Sequence, residues 1–462
     1  VSIARDRRPR SDRGFEDAWY HATANDRTTH APLDGGTRAD VCIVGAGYTG
    51  LSAAIELAAR GCRVVVLEAH RVGAGASGRN GGVLGMGQRR DQDDLEAWLG
   101  RDLARRLWQI AADANELVRA RIAHYGIACD LVDGELHAAH RPRHAAAYQA
   151  YAEFLARHYD YPHIRPVGRA EMSDLLGTNA YHGGYLDRRA GHLHPLNLAL
   201  GLARAAVAEG ALIHERTPVL SFRAGTRART RAGTGAGERV VVRTATGDVQ
   251  ADHLILACNG YLGRLAPKLA PWQMPINNFL LATAPLSPER ARRINRDNLA
   301  VVDSRFVVNY YHLTPDRRLI FGGGENYSAR FPRDLKSFVR RHMLAVYPDL
   351  ADVPIDHAWG GTLAITLRRM PHFGHDGHGV WWAQGYSGHG IAMANMGGKL
   401  VAEAIMGDTG LGDALLGSAN LDQASGFDVL ARLPHARFPG GTLLRWPALV
   451  AGMLYYALLD RF

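Results

Sequence analysis

The sequence predicts an α/β plus α+β fold with a doubly wound, Rossmann-like nucleotide-binding lobe assembled from segments far apart in the chain. Three observations predict it. A strand–glycine turn–helix–strand unit runs from Asp40 to Glu68. A second strand–glycine turn–helix runs from Val380 to Met406. Between them, strand-like runs dominate from Leu280 to Gly324.

In the first unit, Asp40-Val-Cys-Ile-Val44 is a short apolar strand and Gly45-Ala-Gly47-Tyr48-Thr49-Gly50 is the turn. Leu51 to Ala59 is a helix of small and apolar residues, stopped by Gly61; Arg63-Val-Val-Val-Leu67 is a second buried strand, closed by Glu68. A helix joining two such strands makes them a parallel pair. In that context G-x-G-x-x-G has a mechanism. Gly45 makes the tight turn, Gly47 lets backbone approach a pyrophosphate, and Gly50 lets helix and strand pack closely. The helix N-terminus offers N–H groups and partial positive charge to phosphates. Glu68, with Ala69 beside it, lies 18 residues after Gly50. It is placed to accept from ribose hydroxyls, which disfavours a 2′-phosphate and hence NADP.

The next segment favours FAD over NAD. Gly73, Gly75, Gly78, Gly81, Gly82, Gly85 and Gly87 fall within 15 residues. They let bare backbone lie against a flat ring, while Ser77, Arg79 and Asn80 supply donors of the kind an isoalloxazine edge needs. Near the other end, Gly385-Tyr-Ser387-Gly388-His389-Gly390 opens a helix from Ile391 to Met406. Its N-terminal dipole suits negative charge at N1–O2 of the reduced ring.

The elements between follow in order. Leu95 to Tyr125 and Ala145 to His158 are helical; Leu196 to Glu209 is a helix begun by Pro195 and stopped by Gly210. Ala211–His214, Val219–Arg223, Val240–Thr244 and Leu254–Ala257 are strands, and the Gly/Thr/Arg-rich Ala224–Arg239 is a long hairpin tip. Lys336 to Tyr347 is a helix and Val380 to Ala383 a strand. Tyr310-Tyr311-His312 either lines a cleft or alternates across an ordinary strand.

Composition narrows the class. Of 462 residues, 47% are apolar and 21% charged, which excludes a disordered chain. Lys+Arg 54 against Asp+Glu 45 gives +9, but the basic residues are scattered without a recognition motif, so no nucleic-acid partner is expected. Cys42, Cys62, Cys129 and Cys258 form no C-x-x-C and predict free thiols in a reducing cytoplasm. Arg5, Arg7, Arg8, Arg10 and Arg13 precede no apolar stretch, so they read as a solvated tail rather than a secretory signal. The longest apolar run, Trp446–Leu459, has 14 residues. A span needs about 20, so it reads as a packed or subunit-interface helix, with no transmembrane segment and the oligomeric state left open. His372-x-x-His375-x-x-His378, interleaved with Gly374, Gly377 and Gly379, reads as a turn between strands, and no metal is expected.

Together, the Gly45 fingerprint, Glu68, Gly75-Ala-Ser77-Gly-Arg-Asn-Gly-Gly82 and the Gly385–Gly390 turn resemble the D-amino-acid oxidase/sarcosine oxidase superfamily of FAD oxidoreductases. Within it the likeness is to the γ-glutamylputrescine oxidase group. Ala190–Leu200, Arg318–Gly324 and Phe438–Gly441 match further, and the resemblance spans residue 18 to the C-terminus apart from the Ala224–Arg239 insert.

The resemblance implies a glycine-oxidase-type arrangement, with the FAD lobe interleaved with an antiparallel-sheet substrate lobe. The FAD lobe would take residues 38–90, 190–265 and 355–410, and the substrate lobe 91–189 and 266–354, with extensions at 1–37 and 411–462. It implies cofactor contacts at Val219, whose backbone would hold the adenine, at Asn259 and Gly260, and at Gly361. His389, Arg79 and His194 are the catalytic candidates. Sarcosine oxidases tether the flavin through a cysteine in the C-terminal half; none of the four cysteines matches it, so non-covalent FAD is expected.

Glycine and D-amino-acid oxidases carry an Arg shortly after a Trp, in a Gly-Leu-Arg-Pro stretch, that clamps the α-carboxylate. Here the stretch reads Trp359-Gly-Gly361-Thr-Leu-Ala-Ile-Thr366, and the next arginines are Arg368 and Arg369. The implied reaction is oxidation of the CH–NH bond of a small-molecule amine to an imine and aldehyde, with O2 or another acceptor regenerating FAD. γ-Glutamylputrescine or a related N-acylated diamine leads. The alternatives are an amino-acid or secondary-amine dehydrogenase passing electrons to a quinone or carrier, and a non-catalytic flavoprotein redox sensor.

Overall fold

The computed structural model describes residues 15–225, 239–326, 331–407, 424–442, 447 and 450. The N-terminal arginines, most of the Ala224–Arg239 insert and most of the Trp446–Leu459 run lie outside the described residues.

Two sheets organise the chain. The first has eight strands. Its central strand Thr37–Val44 is flanked in parallel by Val64–Leu67 and Asp248–Leu256. Leu212–His214 extends the sheet on one side and Val380–Gln384 on the other, again in parallel. Strands covered on both faces need unbroken apolar runs, and Val64–Leu67 is buried throughout. Helix Tyr48–Ala59 makes the crossover, and helix Gly390–Met406, from the far end of the chain, packs on it. Gly398 permits that approach, since a Cβ there would stand 2.2 Å from the Thr49 carbonyl oxygen. His372–His375 runs antiparallel to Val380–Gln384 across a tight turn. Its histidines pack on aromatics, His372 on Trp272 and His375 on Trp381.

The second sheet has nine strands. Ile355–Ile365, Met274–Thr283, Leu319–Asn326 and Tyr310–Leu313 are antiparallel neighbours in that order. Ala300–Asp303 follows, then Val132–Ala138 as the one parallel pairing among the described strands of this sheet, then Gly184–His192. Val83–Leu84 and Ile164–Val167 both pair with Gly184–His192. Ile355–Ile365, which the resemblance groups with the FAD lobe, pairs with Met274–Thr283 in the second sheet. Its Trp359 and Ala364 are fully buried there.

The stretch Leu95–Tyr125 forms two helices, Gln92–Leu99 and Arg101–His124. Gly100, at φ 83°, ends the first where an L-residue would be strained. No helix among the described residues is long and apolar enough to cross a membrane.

Candidate active site

A cavity of about 1140 Å³ is lined from both sheets. At one end lies the glycine turn. Gly45 has φ 108°, and a Cβ on it would stand 2.9 Å from the Ala257 carbonyl oxygen. A Cβ on Gly50 would stand 1.9 Å from the Gly45 carbonyl oxygen, which fixes its role as helix–strand packing. Gly47 faces only the Ser77 hydroxyl, 2.8 Å from such a Cβ. Ser77 Oγ accepts the Tyr48 N–H at 3.0 Å, so the phosphate-type turn and the following glycine-rich loop are tied together. Tyr48 donates its hydroxyl to the Pro195 carbonyl and Thr49 shares a hydrogen bond with Tyr386, anchoring the helix start.

Glu68 closes the same end. Its Oε2 accepts the Ala46 N–H at 2.8 Å and its Oε1 the His70 N–H at 2.9 Å. Burial raises its pKa, while the two N–H donors oppose the rise. Ala69 and Val219 line the cavity beside it. Asn259 Oδ1 accepts the Gly385 N–H at 2.9 Å and so links this end to the C-terminal glycine turn.

At the other end, Asn80 folds its loop by donating to the Ala76 and Ser77 carbonyls and accepting the Gly82 N–H at 2.8 Å. Gly75, Ser77, Arg79, Asn80 and Gly81 line the cavity, as do Gly361 and the Gly388-His389-Gly390 turn. Gly50, Gly78, Gly82 and Gly260 are not among its lining residues; their bare faces meet neighbouring backbone, and Gly78 stands against the Gly73 carbonyl. The bare turn at a helix N-terminus, the acid at the second strand's end and one continuous cavity between the two glycine turns fit FAD.

The three catalytic candidates part company. His389 lines the cavity, with Nε2 buried and without a hydrogen-bond partner. Burial pushes its pKa down to about 4, so the ring is neutral near pH 7. Arg79 is 2% exposed and donates to the Ala74 carbonyl at 2.7 Å and the Gly360 carbonyl at 3.2 Å, bracing the loop against Ile355–Ile365. His194 lies outside the cavity lining. Its Nδ1 caps helix Pro195–Ala208 by accepting the Asn197 N–H at 3.1 Å, and its ring packs on Trp19 and Tyr20. Capping and packing displace the catalytic expectation for His194.

Residues absent from the sequence-based set complete the cavity. Strand alternation sends Glu135 and His137 into it while Leu136 and Ala138 join the core. The pattern Val132-Asp-Gly-Glu135-Leu-His137-Ala138 carries that period-two signal. Tyr310 lines the cavity, against Gly81, and donates to Asn278 Oδ1; Tyr311 points into the core. The tyrosine pair therefore alternates across a strand and lines the cleft with one member. Arg89, Arg305 and Arg369 give the cavity basic groups, and Arg369 stacks over Phe306 at 5.7 Å.

The profile of the DAO family, described as FAD dependent oxidoreductase, matches residues 40–404. The chain belongs to this family. Over 96% of its length this oxidoreductase is 40% identical to a probable oxidoreductase OrdL of Rhizobium meliloti, covering 97% of that protein. It is 39% identical to the γ-glutamylputrescine oxidoreductase of Escherichia coli K12, over 96% of this chain and 98% of that one. Among solved structures, glycine oxidase from Geobacillus kaustophilus superposes with a TM-score of 0.66 at 22% identity, covering 80% of this chain and 94% of the other. L-Proline dehydrogenase from P. horikoshii gives 0.65 at 21%, covering 81% and 95%. At such identities the structural likeness carries the fold alone. FAD is thus the oxidoreductase's cofactor, and the glycine turn, Glu68 and the two glycine-rich loops that line the cavity fit it.

Proposed function

We propose that this oxidoreductase oxidises the CH–NH bond at the terminal amine of an N-acylated diamine, with γ-glutamylputrescine the leading substrate. The observation that carries the proposal is the cavity face of strand Ile355–Ile365. It presents Gly361, Thr362, Leu363 and Ile365, and the strand contributes no arginine of its own to clamp an α-carboxylate. Burying an unpaired carboxylate costs several kcal/mol, of order 3–5 when a buried ion lacks its partner. An amine terminus needs no such clamp. The E. coli relative's name supports the choice.

Bound FAD would supply the hydride acceptor for the carbon bearing the amine. The chain's residues orient that carbon and keep its nitrogen uncharged. Neutral His389 adds no cationic charge beside the ring, Tyr310 is fixed by Asn278 as one wall, and the helix from Gly390 directs its N-terminal dipole at the ring end. The imine product hydrolyses in water to aldehyde and ammonia. Non-covalent attachment is supported by Cys258, which lines the nucleotide end beside the Val44 carbonyl rather than the ring end. O2 is the proposed electron acceptor. A cytoplasmic setting belongs to the same proposal, supported by the four free thiols.

An amine panel under air, read by peroxide and aldehyde, tests it. Acylated diamines should exceed glycine, D-alanine and sarcosine. Faster turnover of the amino acids refutes the proposal, and aldehyde formed only with an added dye or quinone assigns a dehydrogenase.

A further inference from the structure

We propose that the cavity wall formed by Glu135, Asp187, His137, Tyr148, Tyr151 and Tyr185 is a subsite for a second ammonium group of the substrate, remote from the carbon that is oxidised. This rests on the amine-oxidising reading above and narrows its substrate class to amines with a spectator cation.

Glu135 and Asp187 stand directly opposite each other on the antiparallel strands Val132–Ala138 and Gly184–His192. Like charges so paired repel. Both are buried, at 4% and 5% exposure, and both line the cavity. Asp187 Oδ1 accepts from the Tyr161 hydroxyl at 2.8 Å and the Arg189 N–H at 2.9 Å, and Glu135 Oε1 lies 3.1 Å from His137 Nε2. The next opposed pair on the same face is His137 and Tyr185, with rings stacked at 4.3 Å. Tyr148 and Tyr151 close around Tyr185 at 5.3 and 5.9 Å. Two repelling carboxylates walled by aromatic rings are the chemistry that holds an alkylammonium.

Gly85 opens this wall towards the ring end. A Cβ there would lie 2.7 Å from His389 Cε1 and 3.3 Å from Glu135 Oε2, so acid and imidazole face one gap. His389 Nε2 is itself buried and has no hydrogen-bond partner among the described residues.

The ammonium held here is not the reacting one. A nitrogen that gives up a hydride from its carbon must be uncharged, and neighbouring carboxylates favour its protonated form. The pair therefore suits a cation that stays charged throughout. A γ-glutamyl arm carries one at its α-carbon; an acetyl arm carries none. Arg89, close enough to Asp91 and His389 to act on both, is available to the adjoining carboxylate.

The test compares γ-glutamylputrescine with N-acetylputrescine on the holoenzyme. Wild type should show a KM for the γ-glutamyl compound lower by about tenfold or more, the scale of one desolvated charge contact. Glu135→Gln should raise that KM by about tenfold, change kcat by less than about twofold and leave the acetyl compound's KM alone. A wild-type preference that survives Glu135→Gln overturns the assignment, as does an equal rise for both amines. Should Glu135→Gln fail to fold, Tyr148→Leu on helix Pro142–His158 should narrow the same gap, and an unchanged gap counts against the subsite. Calorimetric titration with γ-glutamylbutylamide, which has the α-ammonium but no oxidisable terminal amine, reads the subsite independently of turnover. Saturable binding weakened about tenfold in Glu135→Gln supports it, and equal binding in both proteins overturns it. If no amine is oxidised, the proposed function fails while this titration still decides the subsite.

Discussion

The Glu68 carboxylate accepts the Ala46 N–H at 2.8 Å, joining the end of the second strand to the middle of the glycine turn. The acid therefore shapes the turn as well as lining the cavity. Glu68→Lys removes both backbone acceptors and sets a cation at the N-terminus of helix Tyr48–Ala59. FAD affinity should fall at least about tenfold, and the apoprotein's Tm should fall as well, since two half-buried N–H groups lose their partners. Titration of apoprotein with FAD measures the first effect; an unchanged affinity would give Glu68 another role.

Gly47 and Gly50 should separate binding from folding. Ala at 50 meets backbone, 1.9 Å from the Gly45 carbonyl oxygen, and should destabilise the protein by about 2–4 kcal/mol. Ala at 47 meets only the Ser77 hydroxyl, whose rotamer can yield, so apoprotein stability should stay within about 1 kcal/mol of wild type. Its methyl group would instead occupy the approach to the pyrophosphate and weaken FAD. Denaturant unfolding of the two apoproteins, with FAD titration beside it, checks the contrast. Equal stability losses would contradict it.

His194 makes a pH prediction with a definite sign. Burial lowers its pKa from the ordinary 6.5 to about 4. Above pH 6.5 both folded and unfolded states hold it neutral. Below that, the unfolded state takes up a proton the folded state refuses until about pH 4, so stability is lost as pH falls through this window. His194→Asn keeps a side-chain acceptor for the Asn197 N–H but cannot titrate. The drop in Tm between about pH 7.5 and about pH 5, an interval that contains the unfolded imidazole's titration, should therefore be smaller in the variant. An equal drop would remove His194 from the acid response.

Legibility in the sequence followed the range of the interactions. Asp40–Glu68 could be read because its defining signals are local: glycine spacing, two apolar runs and a closing acid. The pairing of Ile355–Ile365 with Met274–Thr283 could not be read, because the two strands are distant in sequence and no local signal names a distant partner. Glu135 and Asp187 were invisible as a pair for the same reason; only strand register sets them opposite each other. His194 precedes a helix beginning at Pro195, a position where capping and catalysis leave the same mark in sequence. Tyr310 and Tyr311 needed the strand's facing before one could be placed in the cavity and the other in the core.

Anaerobic mixing of the FAD-loaded protein with γ-glutamylputrescine tests the central claim, amine oxidation by this site, whatever the later electron acceptor. Loss of the flavin's oxidised visible absorbance, with one aldehyde formed for each flavin, is the predicted result. A spectrum unchanged by this and other acylated diamines but lost on adding a free α-amino acid would contradict it.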